Sequence, residues 1–455
     1  MPPAESVSVR RRRTAFVRGA SLAWLIALPG PNAARAQPAC APLPAPTGVL
    51  LEVTPAQADD LRGIVAGAAS GTTILLHDGV YSMDGGDAVS RLVFATPGVT
   101  LRSLSGERDA VILDGNYQTD ELISISASNV VIANLTLRRA YNHPIHISGN
   151  GSPITGTLLH GVRVTDPGQQ AIKINPVGQG YADAGTIECS VIELTDAGRP
   201  FVRDDCYTGG IDAHAAWGWV VRRNRISGFW CPSGLSEHGI HFWNASRDTL
   251  VEENVVLDCA RGVGFGLLAL SGDRTYPDHP YPGVGYLGHI DGTIRNNFIA
   301  AADPDLLQSA AGFDAGIALE QSRNTWVVHN SVVSTAAPFS SIEWRFANTL
   351  VQLLNNLVSH NLRERDGAPQ EVLAGNLEGA EPGWFQSVAQ GDLHLVGDAL
   401  PPVGGGAAVA AGVADRDFDL QARPAARDIG ADERLTTLFA DGFESGTTSA
   451  WSVAP

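Results

Sequence analysis

The sequence predicts an all-β chain built as a solenoid of short parallel strands. One unit recurs along the chain, apolar residues alternate within each copy, and the composition favours turns over helices. The 455 residues include 50 Gly and 27 Pro but 2 Met. The clearest copy starts at Glu237–His238–Gly239–Ile240–His241–Phe242–Trp243. It turns through Asn244–Ala245–Ser246–Arg247–Asp248, continues in a second apolar run at Leu250–Val251, and reaches Asn254 before Val255–Val256. The same grammar appears as Gly210–Ile211–Asp212–Ala213–His214, reaching Asn224 and Ile226. It appears again as Gly316–Ile317–Ala318–Leu319–Glu320, reaching Asn330 and Val332.

In chain order, residues 1–36 have the makeup of an export signal. Arg10 to Arg13 and Arg18 form a basic start, residues 20–29 a short apolar run, and Ala34–Arg35–Ala36 a small-x-small cleavage site. The apolar run is too short to span a bilayer. Residues 37–54 read as a Pro-rich linker (Pro38, Pro42, Pro44, Pro46). From residue 55 to about 68, apolar residues fall at helical spacing. The expected short helix would cap the first coil, because an open end would expose strand edges and core.

Strands begin at Thr73–Ile74–Leu75–Leu76 and follow at Gly79–Val80–Tyr81, Val99–Thr100–Leu101, Val111–Ile112–Leu113, Leu122–Ile123–Ser124–Ile125 and Val130–Val131–Ile132. From Val130 the period is about 23–30 residues, with occasional insertions. Asn134, Asn224, Asn254, Asn297, Asn330 and Asn356 each precede an apolar strand and are expected to stack as an internal ladder that satisfies buried backbone groups.

This grammar, with Asp428–Ile429–Gly430–Ala431–Asp432–Glu433 near its end, resembles the pectate-lyase-like right-handed parallel β-helix superfamily over roughly residues 70–430. The resemblance implies a right-handed parallel β-helix over residues 55–433. It also implies an exported, carbohydrate-active protein. No motif particular to the pectate lyases is present, nor is the calcium pattern of the chondroitinase-B-like lyases. The final segment, 434–455, resembles a short tail on exported proteins of some Gram-negative bacteria and is expected to be a sorting tag. Periplasm, cell surface and medium are the expected destinations.

Two stretches, 177–208 and 271–288, are expected to be insertions that wall a groove. Residues 363–406 are expected to hold looser final coils. Of the five cysteines, Cys189, Cys206, Cys231 and Cys259 cluster around the best repeats. Disulfides are expected there in an oxidising compartment. Four cysteines allow three connectivities, Cys189–Cys206 with Cys231–Cys259 being one of them. Cys40 does not lie in a lipobox.

Strand alternation turns the repeats into directions. Ile240 and Phe242 point into the coil, so His241 and Trp243 point out and are expected to meet solvent. With no coil skipped, one outer column reads His146, Lys173, Asp212, His241, Gly264, Ala318, Glu343. The other reads Ser148, Asn175, His214, Trp243, Gly266, Glu320, Arg345. Lys173, Asp212 and His241 then occupy three successive rungs spanning about 10 Å, and the two glycines should leave an open floor for a polymer.

A net charge of −17 argues against a nucleic-acid surface. It leaves room for an anionic sugar polymer held by a few basic groups in one groove. A lyase of uronic-acid polymers needs a base, a proton donor and a positive group at the carboxylate. Lys173, Asp212, His214, His241 and Arg345 are the candidate catalytic residues. Asn175, Glu237, His238, Trp243, Glu320 and Glu343 are the candidate substrate-binding residues. No residue is assigned to a metal. Ca²⁺ is the ion the resemblance allows, with Asp204, Asp205, Asp212 and Glu237 as candidate oxygen ligands. His289 and Asp291 are further candidates to close over the same rungs.

A glycoside hydrolase would instead need two carboxylates, drawn from Asp212 with Glu237 or Glu320 with Glu343. A non-catalytic glycan binder would use stacking faces at Trp217, Trp219, Trp230 and Trp243, whereas Trp344 alternates inward. The expected partner is a polysaccharide met by a monomer, with no nucleic acid and no membrane span.

Overall fold

The computed structural model describes residues 40–268, 274–397 and 400–434. The expected export signal and the tail from residue 435 lie outside the described residues. Three long parallel sheets run the length of the coil. The first is a 14-stranded sheet from Leu50–Val53 through Val220–Arg222 to Leu350–Leu354. The second has 10 strands, from Gly79–Ser82 through Arg225–Ser227 to Leu357–Val358. The third, which carries the candidate site, has 10 strands from Leu92–Phe94 to Leu362–Arg365. Sheet order follows chain order within the third sheet, so no rung is skipped.

The repeats fold this way because inward positions are apolar on every rung. Ile172, Ile211, Ile240, Val263 and Ile317 lie at 0 % exposure in one internal column, each paired with the next. At the N-terminal end a 3-10 turn (Pro55–Gln57) leads into the helix Ala58–Gly67, which buries Leu61 and Val65 against the first coil.

The internal ladder forms at Asn224, Asn254, Asn297, Asn330 and Asn356 and extends to Asn376. The Nδ2 of each member donates to the Oδ1 of the next at 2.8–3.0 Å. Each such amide also donates to a strand carbonyl, so buried donors find acceptors at every turn. Asn134 is not a rung of this ladder. It takes φ 52° and belongs to the left-handed corner one residue earlier, the place held by Arg223 and Asn296 in later coils. Asn tolerates this conformation better than most side chains, so two different Asn positions look alike in sequence.

Several further expectations are corrected. The stretch 177–208 is not one insertion, because it contains the ordinary coil strands Thr186–Glu188 and Val191–Glu193. After Gln370–Ala374 the chain stops coiling. It forms the antiparallel pair Phe385–Ser387 and Asp392–Leu395 and lies back along the second sheet, burying Leu393, Phe418, Ile429 and Ala431 against Val255, Phe298 and Leu357. Arg423 and Glu433 close this cover with an ion pair of 3.0 Å at 0 % and 3 % side-chain exposure.

The disulfides are Cys40–Cys189 and Cys206–Cys231, while Cys259 is a buried thiol. Cys259 faces the coil interior beside Gly239 and Val256, which keeps it from Cys231. Cys189 sits at an outer left-handed corner (φ 60°) that the linker reaches.

Candidate functional site

Three adjacent strands of the third sheet build the site: Gln170–Ile174, Gly209–His214 and His238–Trp243. Their register places Lys173 beside Asp212, Asp212 beside His241, and His214 beside Trp243. Lys173 forms an ion pair with Asp212 Oδ2. Its ammonium also lies 3.0 Å from His214 Nε2 and 3.3 Å from the Tyr207 hydroxyl. An ammonium has three N–H bonds, and here three acceptors surround it. Trp243 Nε1 donates to Asp212 Oδ1 at 2.7 Å, and its ring lies 4.3 Å from that of His214.

The group is far more buried than an outer sheet face would suggest. Lys173 is 7 % exposed, Asp212 2 %, His241 0 % and Trp243 8 %. The expectation that His241 and Trp243 meet solvent is therefore wrong, although both do point out of the coil. Trp243 caps Asp212, and Tyr207, next to the Cys206–Cys231 bridge, lies against Lys173. His241 Nε2 is held by the Gly266 carbonyl at 3.1 Å.

The expected open floor at Gly264 and Gly266 is also absent. A Cβ on Gly264 would come within 2.6 Å of the His238 ring, and one on Gly266 (φ 80°) within 1.8 Å of the Glu320 carbonyl. These glycines make room for an imidazole and for backbone rather than for a ligand.

Charge follows from the packing. Burial works against ionisation of Asp212, but Lys173, His214 and His241 hold its carboxyl well below the usual carboxylate range. Burial likewise works against the Lys173 ammonium, but Asp212 outweighs it and the pKa is raised. Lys173 is thus held as a cation. Burial, then His241 and Arg261, push His238 down to about 3, so it is a neutral imidazole. Burial raises the Glu237 carboxyl, but His238 and His241 reverse this and hold it low.

Glu237, His238 and His241 form a second cluster against the first. Glu237 Oε2 is 3.5 Å from His241 Nδ1 and 3.9 Å from His238 Nδ1, and the two imidazoles are 4.2 Å apart. Among the described residues neither nitrogen of His238, nor Nδ1 of His241, has a hydrogen-bond partner. Each such buried polar atom costs about 1–3 kcal/mol if nothing satisfies it.

Other expected residues lie elsewhere. Arg345 is four rungs from His214, roughly 19 Å away along the sheet. It pairs with Asp366 at 2.8 Å and with Glu320 at 3.7 Å. Glu343 is bound by Arg365 at 2.9 Å and by Ser340. Asn175 joins His146 (2.6 Å), whose other nitrogen meets Glu121 (2.6 Å), one rung before Lys173. His289 stacks on Phe265 inside the coil at 4.0 Å. Asp291 binds Tyr281 and Asn324 instead of facing these rungs.

Asp204 accepts from Gln169, and both oxygens of Asp212 are engaged by Lys173 and Trp243, so the expected oxygen cage for Ca²⁺ does not assemble. Trp219 and Trp344 are core at 0 % and 3 % exposure, whereas Trp217 is 39 % exposed. Residues 274–288 shape their own cavity of about 320 Å³ around Tyr276, Tyr281 and Tyr286 rather than a wall for Lys173. Sequence reading missed Tyr207, which precedes its strand and so escapes the alternation rule. Its one signal is its position next to Cys206.

No protein-family model and no curated protein matches the chain. Among solved structures, an alginate lyase from Paenibacillus sp. str. FPU-7 superposes with a TM-score of 0.51 at 13 % identity, covering 70 % of this chain and 99 % of that one. Pectate lyase Pel9A superposes with a TM-score of 0.40 at 14 % identity, covering 86 % and 97 %. The catalytic unit of an α-1,3-glucanase from Streptomyces thermodiastaticus gives 0.42 at 14 % identity, covering 75 % and 70 %. At these identities the likeness is one of fold: the chain is a right-handed parallel β-helix.

Proposed function

We propose that this is an exported polysaccharide lyase that cleaves a uronic-acid-containing polymer by β-elimination. The observation that carries the reading is the ammonium of Lys173, fixed by Asp212 and donating to both Tyr207 and His214. A cation hydrogen-bonded to the phenol oxygen stabilises the negative charge that oxygen must carry to act as a base. Tyr207 and His214 are half-buried at the edge of the cluster, within reach of a ligand, whereas Lys173 and Asp212 are not.

In this reading Tyr207 removes the proton at C5 of the uronate. The electron pair forms the C4–C5 double bond, the C4–O4 bond breaks, and the proton passes to O4 of the departing sugar. In the tautomer whose Nε2, set between Lys173 Nζ at 3.0 Å and Asp212 Oδ2 at 3.3 Å, accepts from the ammonium, the Nδ1–H of His214 is a donor for the uronate carboxylate. Asn175, one rung away, offers a further amide. Lys173 and Asp212 are positioning residues. The fold is shared with an alginate lyase. The two disulfides support an oxidising compartment, in line with the export signal read at residues 1–36. We place the mature chain in the periplasm, at the cell surface or in the medium of a Gram-negative bacterium.

The hydrolase alternative is weakened because Asp212 is buried at 2 % exposure and bound by Lys173 and Trp243, and Glu343 is tied to Arg365. The test is to incubate the protein with alginate, pectate and chondroitin and follow the ultraviolet absorbance of an unsaturated sugar. New reducing ends without that absorbance would exclude the lyase. Binding without turnover would favour a non-catalytic glycan binder.

A further inference from the structure

Glu237, His238 and His241 meet at the outer face of the sheet, and their arrangement is not accounted for by the elimination chemistry. Their nitrogen and carboxylate atoms lie within 4.8 Å of one another. Glu237 Oε2 stands 3.5 Å and 3.9 Å from the two Nδ1 atoms, and among the described residues neither Nδ1 has a hydrogen-bond partner. Ligands at about 2.0–2.1 Å around a tetrahedral ion stand roughly 3.3 Å apart, close to these separations.

Three independent features point the same way. His238 and His241 are 3 % and 0 % exposed, yet their Nδ1 atoms have no hydrogen-bond partner among the described residues, with carboxylate oxygens of Glu237 and Asp212 standing off at 3.5–3.9 Å. His241 Nε2 is engaged by the Gly266 carbonyl. That contact puts the ring proton on Nε2 and leaves Nδ1 with its lone pair free, which is how a metal-binding imidazole is usually oriented. Gly264 gives the His238 ring its place, since any side chain there would collide with it.

We infer that Glu237, His238 and His241 form a binding site for a divalent transition-metal ion of the Zn²⁺ class. Two imidazoles and one carboxylate suit such an ion better than Ca²⁺, which takes six to eight oxygens. Glu237 is the half-buried member of the three, so the remaining coordination position opens on its side. A water or an anionic group of a ligand would enter there. Two comparable clusters are unsuitable. In the group of His160, Glu188 and Cys189, the cysteine is in a disulfide. In the group of His394, Asp419 and Asp432, both nitrogens of His394 are already bound, to Asp392 and Asp419.

The site stands on its own geometry and does not depend on the lyase reading. The experiment uses the full mature chain, stripped with a chelator and then titrated with Co²⁺ and with Zn²⁺. We expect one equivalent per chain by elemental analysis, and for Co²⁺ the visible bands of a four- or five-coordinate ion with nitrogen ligands. Glu237→Gln, His238→Asn and His241→Asn should each weaken binding by about 100-fold or more, and near-ultraviolet circular dichroism checks that they fold. Tyr207→Phe, which removes the proposed base without unpairing Asp212, should leave metal uptake at one equivalent. An unmodified chain that takes up no Co²⁺, or shows octahedral aquo-type bands, would overturn the inference independently of any variant. So would equal uptake by folded Glu237→Gln and His241→Asn proteins.

Discussion

Lys173 and Asp212 face each other on adjacent rungs as a buried ion pair, at 9 % and 3 % side-chain exposure. The second oxygen of Asp212 is claimed by Trp243. Removing one partner of such a pair leaves an uncompensated buried charge, which costs about 3–5 kcal/mol. Lys173→Met and Asp212→Asn should each destabilise by roughly that amount in urea unfolding. Lys173→Met combined with Asp212→Leu should recover much of it. Independent, additive losses would show that the two charges do not act as a pair.

Tyr207→Phe keeps the ring against Lys173 and removes only the hydroxyl. In the proposed mechanism it should lower kcat by about 10²–10⁴-fold, with stability changed by less than about 1 kcal/mol because the group is part-exposed. Steady-state kinetics and thermal unfolding on the same preparation check both. A variant with full turnover would remove Tyr207 from the chemistry.

The Cys206–Cys231 bridge holds the loop next to Tyr207. Cys206→Ser with Cys231→Ser should preserve the coil, whose sheets lie elsewhere, and cost about 2–4 kcal/mol or less. Activity should fall more than stability does. The same loss should follow mild reduction of the unmodified protein. Cys259, buried in the coil with its thiol pushed up to about 12, should stay unlabelled by thiol reagents until the protein unfolds.

Acid should destabilise this protein early. Burial is the first cause that pushes His143 down to about 4, His289 to about 3 and His329 to about 2. These residues stay neutral when folded but take up protons in the unfolded chain below about pH 6.5. The unfolded state then binds more protons, so stability falls as pH drops from about 6.5 toward 4. The slope is at most roughly 4 kcal/mol per pH unit for three such groups. Chemical denaturation across that range measures it, and His329→Gln should flatten the curve.

The alkaline side has a different source. Burial works against the His394 cation, but Asp392 and Asp419 outweigh it and raise its pKa to about 10. A raised folded pKa contributes stability that is complete below the unfolded value near 6.5 and is lost as pH rises through 10. His394→Gln should therefore cost on the order of 4 kcal/mol at pH 7, shrinking toward nothing above pH 10.

The repeats were the legible part of this molecule. A period of two along a strand and a fixed coil length are local properties of the backbone. They sufficed to place Lys173, Asp212 and His241 on consecutive rungs and Ile240 and Phe242 inside. The same local signal could not separate Asn134, at a left-handed corner, from the ladder asparagines one position later.

Alternation and repetition dictate the coil, its register and which side chains leave it. Folding in three dimensions adds that Lys173, Asp212, His241 and Trp243 are buried, that Tyr207 joins them, that Glu237, His238 and His241 converge, and that Cys40 reaches Cys189. Those outcomes depend on loops and a linker that carry no period. Their positions are set by long-range packing and distance, which a linear pattern does not encode.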